Sequence, residues 1–374
     1  MKIIVFKPTH QCNLNCPFCY DREKRQKSTD IMPVDKAIFA LQKAMDTADE
    51  RSKKTGTFKV CWHGGEPTLV GSEYIDKVCS HDYGYQIKWV MQSNMSTLNK
   101  ELADIIKKHH IELGGSWDGL AQSNKNYHHT DYLKKSVEYL GYAHLLYVVT
   151  PENCTDVIPS FLYCYSNNYQ VQFNPIFGED TSVQDYEKMA YEMVKLFDLE
   201  TQLPNIKITR PFDDLLTDID GRPVNYCEEI FCVGQWLCIE YDGTVINCGH
   251  PWPEDMQYGN IFDENFRVDK LPETPGYKKM QANIFAQLEH CKNCKWLITC
   301  KNRCPFSCID PETHDFLFNE GVCRFRTIVS EGVYNIIKTR ASNNTLYNKE
   351  IIDAIHHTAK REFFPWRYYK SPII

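Results

Sequence analysis

Short apolar, β-branched runs recur along the first half of the chain: KIIVFK at 2–7, FKVCW at 58–62, QIKWVM at 86–91, IELGGS at 111–116, HLLYVV at 144–149 and YQVQFNPIF at 169–177. Between them, apolar residues return at helical spacing in Val34–Asp46 (after Met32-Pro33), Leu98–Lys108, Tyr132–Leu140, Ile158–Ser166 and Val183–Leu199. Six strands alternating with helices predict an α/β fold, either a parallel wound sheet or a partial barrel, with its reactive face at the carboxyl ends of the strands. After Leu199 the pattern stops. Residues 1–200 therefore read as the α/β unit, 201–226 as a linker, 227–323 as a loop-rich, cysteine-rich domain with little periodic structure, and 324–374 as a closing helix (Arg324–Arg340) and tail. No internal repeat or low-complexity tract interrupts this order.

The chain of 374 residues is 43% apolar and 24% charged, the composition of a folded globular protein. Its 42 Lys+Arg against 49 Asp+Glu give a net charge of −7, so no overall basic field draws a nucleic-acid backbone. No apolar run reaches the ~18 residues that a spanning helix needs, and Met1 leads almost at once into the first strand without a signal peptide, which predicts a cytoplasmic protein that binds no membrane. The 17 cysteines change the picture, because reducing conditions argue against a disulfide framework. They fall in three groups: Cys12, Cys16 and Cys19; Cys227, Cys232, Cys238 and Cys248; and Cys291, Cys294, Cys300, Cys304, Cys308 and Cys323. Cys61, Cys79, Cys154 and Cys164 are scattered, as packed thiols are.

Cys12, Cys16 and Cys19 form CxxxCxxC on the loop after the first strand. Three thiolates are one short of a closed structural zinc site, but suit a [4Fe–4S] cluster with one iron left open for a small ligand. The competing reading is zinc completed by a distant residue. CxxxCxxC followed by Tyr20 resembles the radical S-adenosylmethionine (SAM) superfamily. Three further motifs, each at a strand's carboxyl end, fit that resemblance: His63-Gly64-Gly65-Glu66-Pro67, similar to the superfamily's GGEP; Gln92-Ser93-Asn94; and Ser116-Trp117-Asp118-Gly119. The resemblance implies a partial (β/α)6 barrel in which the open iron holds the amino and carboxylate groups of SAM. It also implies that Tyr20, Gly64, Gly65, Glu66, Pro67, Asn94, Ser116 and Asp118 surround that cofactor. The chain departs from the superfamily twice. Met95 stands where relatives carry Gly, and in YHHTD His128 stands in place of an Arg that pairs with the SAM carboxylate, which predicts a pH-dependent SAM affinity.

Cys232, ten residues, Gly243, four residues, Cys248, then Cys291xxCys294, five residues, Cys300xxxCys304 and later Cys323 resembles the SPASM domain of peptide- and protein-modifying radical SAM enzymes. By that resemblance Cys227, Cys232, Cys248 and Cys304 hold one fully ligated auxiliary [4Fe–4S] cluster, and Cys291, Cys294, Cys300 and Cys323 hold a second. Cys238 and Cys308 remain possible substitutes. The spacing by itself also suits a pair of zinc sites.

The resemblance implies a radical SAM oxidoreductase. A 5′-deoxyadenosyl radical removes hydrogen from the substrate, and the auxiliary clusters accept the second electron. For the substrate, the expected order is a ribosomally made peptide or protein side chain that is crosslinked or similarly oxidised; then formylglycine made from Cys or Ser, as by the anaerobic sulfatase maturases; then a peptide epimerase. A zinc-binding scaffold without chemistry is the non-enzyme alternative. The maturases carry an acidic base directly after the cysteine equated with Cys248, and here that position is Gly249, followed by His250. His63 and His250 are accordingly the candidate replacement bases, and Gln92, which the resemblance places near the ribose and the substrate, is the third candidate catalytic residue. A flavodoxin- or ferredoxin-like electron donor is an expected partner. A separate leader-binding protein is another, because the chain begins at its first strand. The run 21–27 (DREKRQK) reads as a solvated loop or donor-docking site, and the tail FFPWRYYKSPII as a packed segment or peptide dock.

Overall fold

The computed structural model describes residues 3–22, 28–120, 130–177, 181–203, 208–219, 232–300 and 304–342. Its nine strands are β1 (Ile3–Phe6), β2 (Thr57–Trp62), β3 (Gln86–Ser93), β4 (Glu112–Ser116), β5 (His144–Val149), β6 (Gln170–Pro175), β7 (Trp236–Ile239), β8 (Thr244–Ile246) and β9 (Gly259–Asn260). They form one sheet in the order β6-β5-β4-β3-β2-β1-β7-β8-β9. Every pairing from β6 through β1 to β7 is parallel, and β7-β8-β9 is an antiparallel meander. The sheet ends at β6 and β9 and does not close, so the architecture is the expected partial barrel with a further strand group on the β1 edge.

The helices are α1 (Val34–Asp46), α2 (Glu50–Lys54), α3 (Ser72–Ser80), α4 (Lys100–Lys108), α5 (Thr130–Leu140), α6 (Val157–Ser166), α7 (Val183–Glu200), α8 (Phe212–Ile219), α9 (Pro275–Cys291), α10 (Leu297–Cys300) and α11 (Glu320–Ser342). In β1, now the middle of a parallel sheet, Ile4, Val5 and Phe6 are all buried, as a strand covered on both faces requires. In β3 and β5 burial alternates: Trp89, Met91 and Ser93, and Leu145, Tyr147 and Val149, face the packed side, leaving Gln92 exposed on the other. The long α11 lies along α7. It buries Val322, Phe325, Val329, Val333 and Ile337, spaced three and four residues apart, on the side of the fold where Met189, Met193, Leu196 and Phe197 of α7 are also buried. None of the described helices is long and apolar enough to cross a membrane.

Two expectations change. The stretch read as a linker contains α8, whose Phe212 is fully buried against Phe197, while the backbone N–H of Phe173 donates to the carbonyl of Arg210. This segment is therefore part of the core beside β6. The cysteine-rich domain is also more regular than its pattern implied. Its β7 joins the barrel sheet, with Val5 opposite Cys238, and α9 runs for 17 residues behind a Thr274 side-chain cap and Pro275 at its start.

Glu200, at the end of α7, has no exposure, and its only described partners are the Thr209 N–H and hydroxyl. Burial pushes its carboxyl up from 4.5 to about 7 against those two hydrogen bonds. Because the folded pKa lies above the unfolded one, this contribution to stability is fully present below pH 4.5 and is lost as pH rises through 7. Glu200→Gln should remove that slope and stabilise the protein at pH 8 by about 2–3 kcal/mol, with little change at pH 4.5. Urea unfolding of both proteins at the two pH values checks this, and equal stabilities at pH 8 would contradict it.

Candidate active site

The loop after β1 carries the three-cysteine motif, with Cys16 buried and Cys12 and Cys19 half-buried. It is pinned from two sides. The N–H of His63 donates to Phe6 O (2.9 Å), that of Gly65 to Thr9 O (3.2 Å) and that of Glu66 to Gln11 O (2.6 Å). A Cβ on Gly64 would strike the Thr9 carbonyl oxygen, and one on Gly65 the carbonyl oxygens of His10 and Gln11; Gly64 also adopts φ +127°. The double glycine is thus required by the cysteine loop's own backbone.

From the other side, Asn94 donates through Nδ2 to Asn13 Oδ1 (3.0 Å) and lies 3.9 Å from Cys12 Sγ. Glu66 joins the two supports. Its buried carboxylate accepts from Thr68 N (3.2 Å), Thr68 Oγ1 (2.6 Å), Ser93 Oγ (2.7 Å) and Asn94 N (2.7 Å), tying the end of β2 to the end of β3 beneath the loop. Burial raises its pKa even against these donors. The carboxylate is committed internally, so Glu66 acts on the site by holding backbone. Pro67 is buried beside it, at the start of a short 3-10 turn.

Met95 has φ +60°, the left-handed conformation that favours glycine, and its thioether fills the space over Gly115 that any side chain there would need. The departure from the superfamily's glycine is accommodated by a missing side chain on the next strand. Ser116 ends β4 half-buried, and Asp118, 3% exposed, lies close enough to Tyr147 to act on its hydroxyl electrostatically. His128 and Cys227 lie outside the described residues. Of the run read as a solvated loop, Asp21 is 1% exposed, because Lys7 and His10 face it.

Four uncharged polar side chains gather beside this loop: Tyr20, His63, Gln92 and His250. Gly64 N–H donates to His63 Nδ1 at 2.8 Å, which places the proton of the neutral ring on Nε2, facing the Tyr20 hydroxyl at 3.4 Å and within reach of Gln92. Burial and the nearby Lys7 push this imidazole down to about 4. With Nδ1 occupied and Nε2 protonated, the neutral His63 ring presents a hydrogen-bond donor. The ring of His250 stacks on Phe306 (4.6 Å) and stands 5.0 Å from Tyr20. Its Nδ1 is buried with no hydrogen-bond partner among the described residues, and burial lowers its pKa to about 4. Since the folded pKa of His63 lies below 6.5, its neutral form contributes stability above pH 6.5 that is lost only as pH falls towards 4. The rate of SAM cleavage should therefore show no His63 limb between pH 5.5 and 8, and His63→Gln should preserve the shape of the profile. A wild-type limb near 6.5 that the variant lacks would contradict this.

In the cysteine-rich domain, Cys291, Cys294, Cys300 and Cys323 line one cavity of about 110 Å³ together with His290, Trp296, Phe318 and Arg326. Cysteine thiolates are the ligands that a fully ligated cluster takes, and all four of these cysteines border the one cavity. Cys232, Cys248 and Cys304 are all buried. Asn247 Nδ2 lies 3.6 Å from Cys232 Sγ, Trp252 Nε1 lies 3.2 Å from Cys248 Sγ, and Phe306, two residues after Cys304, stacks on His250. Cys238 sits inside β7, paired on both sides, and Cys308 receives Gln287 Nε2 at 3.6 Å. Cys61, Cys79, Cys154 and Cys164 are buried, and burial pushes the Cys61 and Cys164 thiols up to about 12. Sequence reasoning missed Lys7, His10 and Glu240, which gather behind the cysteine loop around Asp21.

Comparison with known proteins bears on this arrangement directly. The family model of the radical SAM superfamily matches residues 6–159. The cysteine-type anaerobic sulfatase-maturating enzyme of Clostridium novyi is 24% identical over 344 residues, 81% of this chain and 87% of that protein. The protein of the same description from Clostridium perfringens strain 13 is 25% identical over 80% of this chain and 88% of its own length. The structure of anSMEcpe with bound AdoMet shares the fold, with a TM-score of 0.77 at 22% identity over 91% of this chain and 99% of that one. These matches set aside the zinc scaffold without chemistry. A CxxxCxxC loop pinned by the ends of β2 and β3, in a chain matched in this way, identifies residues 6–159 as a radical SAM domain.

Proposed function

We propose that the chain oxidises a cysteine or serine side chain of a protein or peptide substrate to the aldehyde, as an anaerobic maturase. One observation carries this reading: the similarity to proteins described as cysteine-type sulfatase-maturating enzymes spans four-fifths of this chain and nearly nine-tenths of theirs, running through barrel and cysteine-rich domain alike. It reverses the order expected from sequence, in which a crosslink came first.

Cys12, Cys16 and Cys19 would hold a [4Fe–4S] cluster, which with SAM would supply a 5′-deoxyadenosyl radical for hydrogen abstraction. The chain's own residues do the rest. The Gly64-Gly65 and Glu66 backbone fixes the cysteine loop, Asn94 braces it, and Ser116 and Asp118 stand at the neighbouring strand end. Tyr20, His63 and Gln92 present uncharged hydrogen-bonding groups that orient a neutral substrate side chain. Cys232, Cys248 and Cys304 on one side, and Cys291, Cys294, Cys300 and Cys323 on the other, are the residues that would hold electron-accepting auxiliary clusters. For a cysteine substrate, CH2–SH gives up one hydrogen atom to the radical and then one proton and one electron to become a thioaldehyde, from which water displaces hydrogen sulfide. Serine gives the aldehyde directly. With His63 Nδ1 accepting from Gly64 and Nε2 carrying the ring proton, the substrate's hydroxyl or thiol proton leaves to solvent.

A peptide crosslink is the second reading, favoured by position 249. It carries no side chain, and the Tyr20 hydroxyl lies 3.2 Å from where its Cβ would stand, so no carboxylate follows Cys248 to deprotonate a thiol. Anaerobic turnover with cysteine- and serine-containing peptides, followed by hydrazide labelling, separates the two. A labelled aldehyde supports the first reading, and a peptide two hydrogens lighter that takes no label supports the second.

A further inference from the structure

Directly behind the cysteine loop, four ionisable side chains meet almost out of contact with water. The ammonium of Lys7, just past β1 and 0% exposed, donates to Gly249 O at 2.6 Å and to Asp21 Oδ1 at 3.3 Å, and stands 3.9 Å from Glu240 Oε1. His10 Nδ1 lies 2.9 Å from Asp21 Oδ2 and its Nε2 3.7 Å from Glu240 Oε2. The Tyr20 ring covers the ammonium at 5.4 Å. Burial disfavours the charge on Lys7, but Asp21, Cys238 and Glu240 outweigh it and keep the ammonium protonated. The groups come from separate parts of the chain: Lys7 from the end of β1; His10, Tyr20 and Asp21 from the cysteine loop; Glu240 and Gly249 from the cysteine-rich domain.

Buried ion pairs add little to stability over a well-packed apolar core, but they hold their elements in one register, since any displacement leaves a charge unpaired. Lys7 is the member that reaches the domain's backbone. Its bond to Gly249 falls between Cys248, on one side, and His250, which stands 5.0 Å from Tyr20, on the other. We propose that Lys7 is a positioning residue that holds the Cys248–His250 segment against the cysteine loop, and that coupling of hydrogen abstraction to removal of the second electron depends on this contact. The coupling part rests on the proposed function, because it takes Cys248 as a cluster ligand and the substrate as oxidised. The holding part does not.

The test uses the full chain, anaerobically reconstituted, as Lys7→Met/Glu240→Gln. This variant removes one cation and one anion and leaves the His10–Asp21 pair in place. Hydrogen–deuterium exchange of the peptide covering 248–252 should quicken about tenfold or more, as expected when a charged hydrogen bond is lost. SAM cleavage should stay within about threefold of wild type, while 5′-deoxyadenosine formed per oxidised peptide rises about fivefold or more. Unchanged exchange with an unchanged ratio would overturn the proposal. So would a parallel loss of SAM cleavage and product, which would make Lys7 a support of the cysteine loop alone. If circular dichroism shows the double variant unfolded, Lys7→Gln, which keeps a donor on a shorter arm, is judged by the same two readouts. If wild type oxidises neither cysteine nor serine peptide, the proposed function fails, and the exchange measurement, which needs no substrate, still decides whether Lys7 holds the segment.

Discussion

Cys16→Ala should reduce formation of 5′-deoxyadenosine by about a thousandfold or more, while iron in the cysteine-rich domain stays bound. Cys16 is the buried member of the three-cysteine loop, and losing its thiolate leaves two ligands on a loop whose backbone is otherwise fixed by β2 and β3. The cavity bearing Cys291, Cys294, Cys300 and Cys323 is built from α9, α10, α11 and the segments between them, with no residue from that loop. Iron and sulfide per chain, measured beside SAM cleavage, check the prediction together: about one cluster's iron should go and the rest remain. Loss of all iron would mean that the two regions load as one unit.

Gly65→Ala should be nearly as damaging although it removes no ligand. The added methyl would meet the carbonyl oxygens of Gln11 and His10, which are backbone atoms and cannot swing aside as a side chain would. Relief requires the cysteine loop to move away from β2, breaking the Gly65–Thr9 and Glu66–Gln11 hydrogen bonds that set its height. SAM affinity should fall about a hundredfold, equivalent to about 3 kcal/mol, with the auxiliary iron unchanged. Equilibrium dialysis of labelled SAM against the reconstituted variant measures this. Affinity within a few-fold of wild type would show that the loop tolerates displacement.

How much of this was legible in the sequence depended on whether the determining contacts were local. The six barrel strands were readable because each is an apolar run bounded by polar turns, and five helices because their apolar spacing is clear. The helix α3 was missed although Tyr74, Ile75, Val78 and Cys79 carry helical spacing directly after Gly71. In α9 the buried face includes Asn283 and Gln287, polar residues that break the apolar period, and the Thr274-Pro275 start was the signal to use. The pairing of β7 with β1 joins segments more than two hundred residues apart, and nothing in either strand announces it.

The site divides in the same way. The cysteines, the glycine pair and Asn94 belong to short motifs at strand ends and could be placed in advance. The reason for the glycines could not, because the obstacle is the main chain of another loop. Lys7, after an apolar strand, reads as a solvent-facing end, and Asp21 opens a run of charges. Their burial follows only from each other and from Glu240. His63 was readable as a polar group at the mouth of the site, but the Gly64 N–H that occupies its Nδ1 is a matter of backbone direction at one residue.

The most direct measurement of the central claim is the fate of deuterium placed on the β-carbon of the cysteine or serine in a substrate peptide, during anaerobic turnover with SAM and a reductant. The account predicts that one deuterium appears in 5′-deoxyadenosine and that the same peptide position becomes an aldehyde. Deuterium-free 5′-deoxyadenosine from a peptide that is nevertheless oxidised, or from one left unchanged, would show that hydrogen is taken elsewhere and would contradict it.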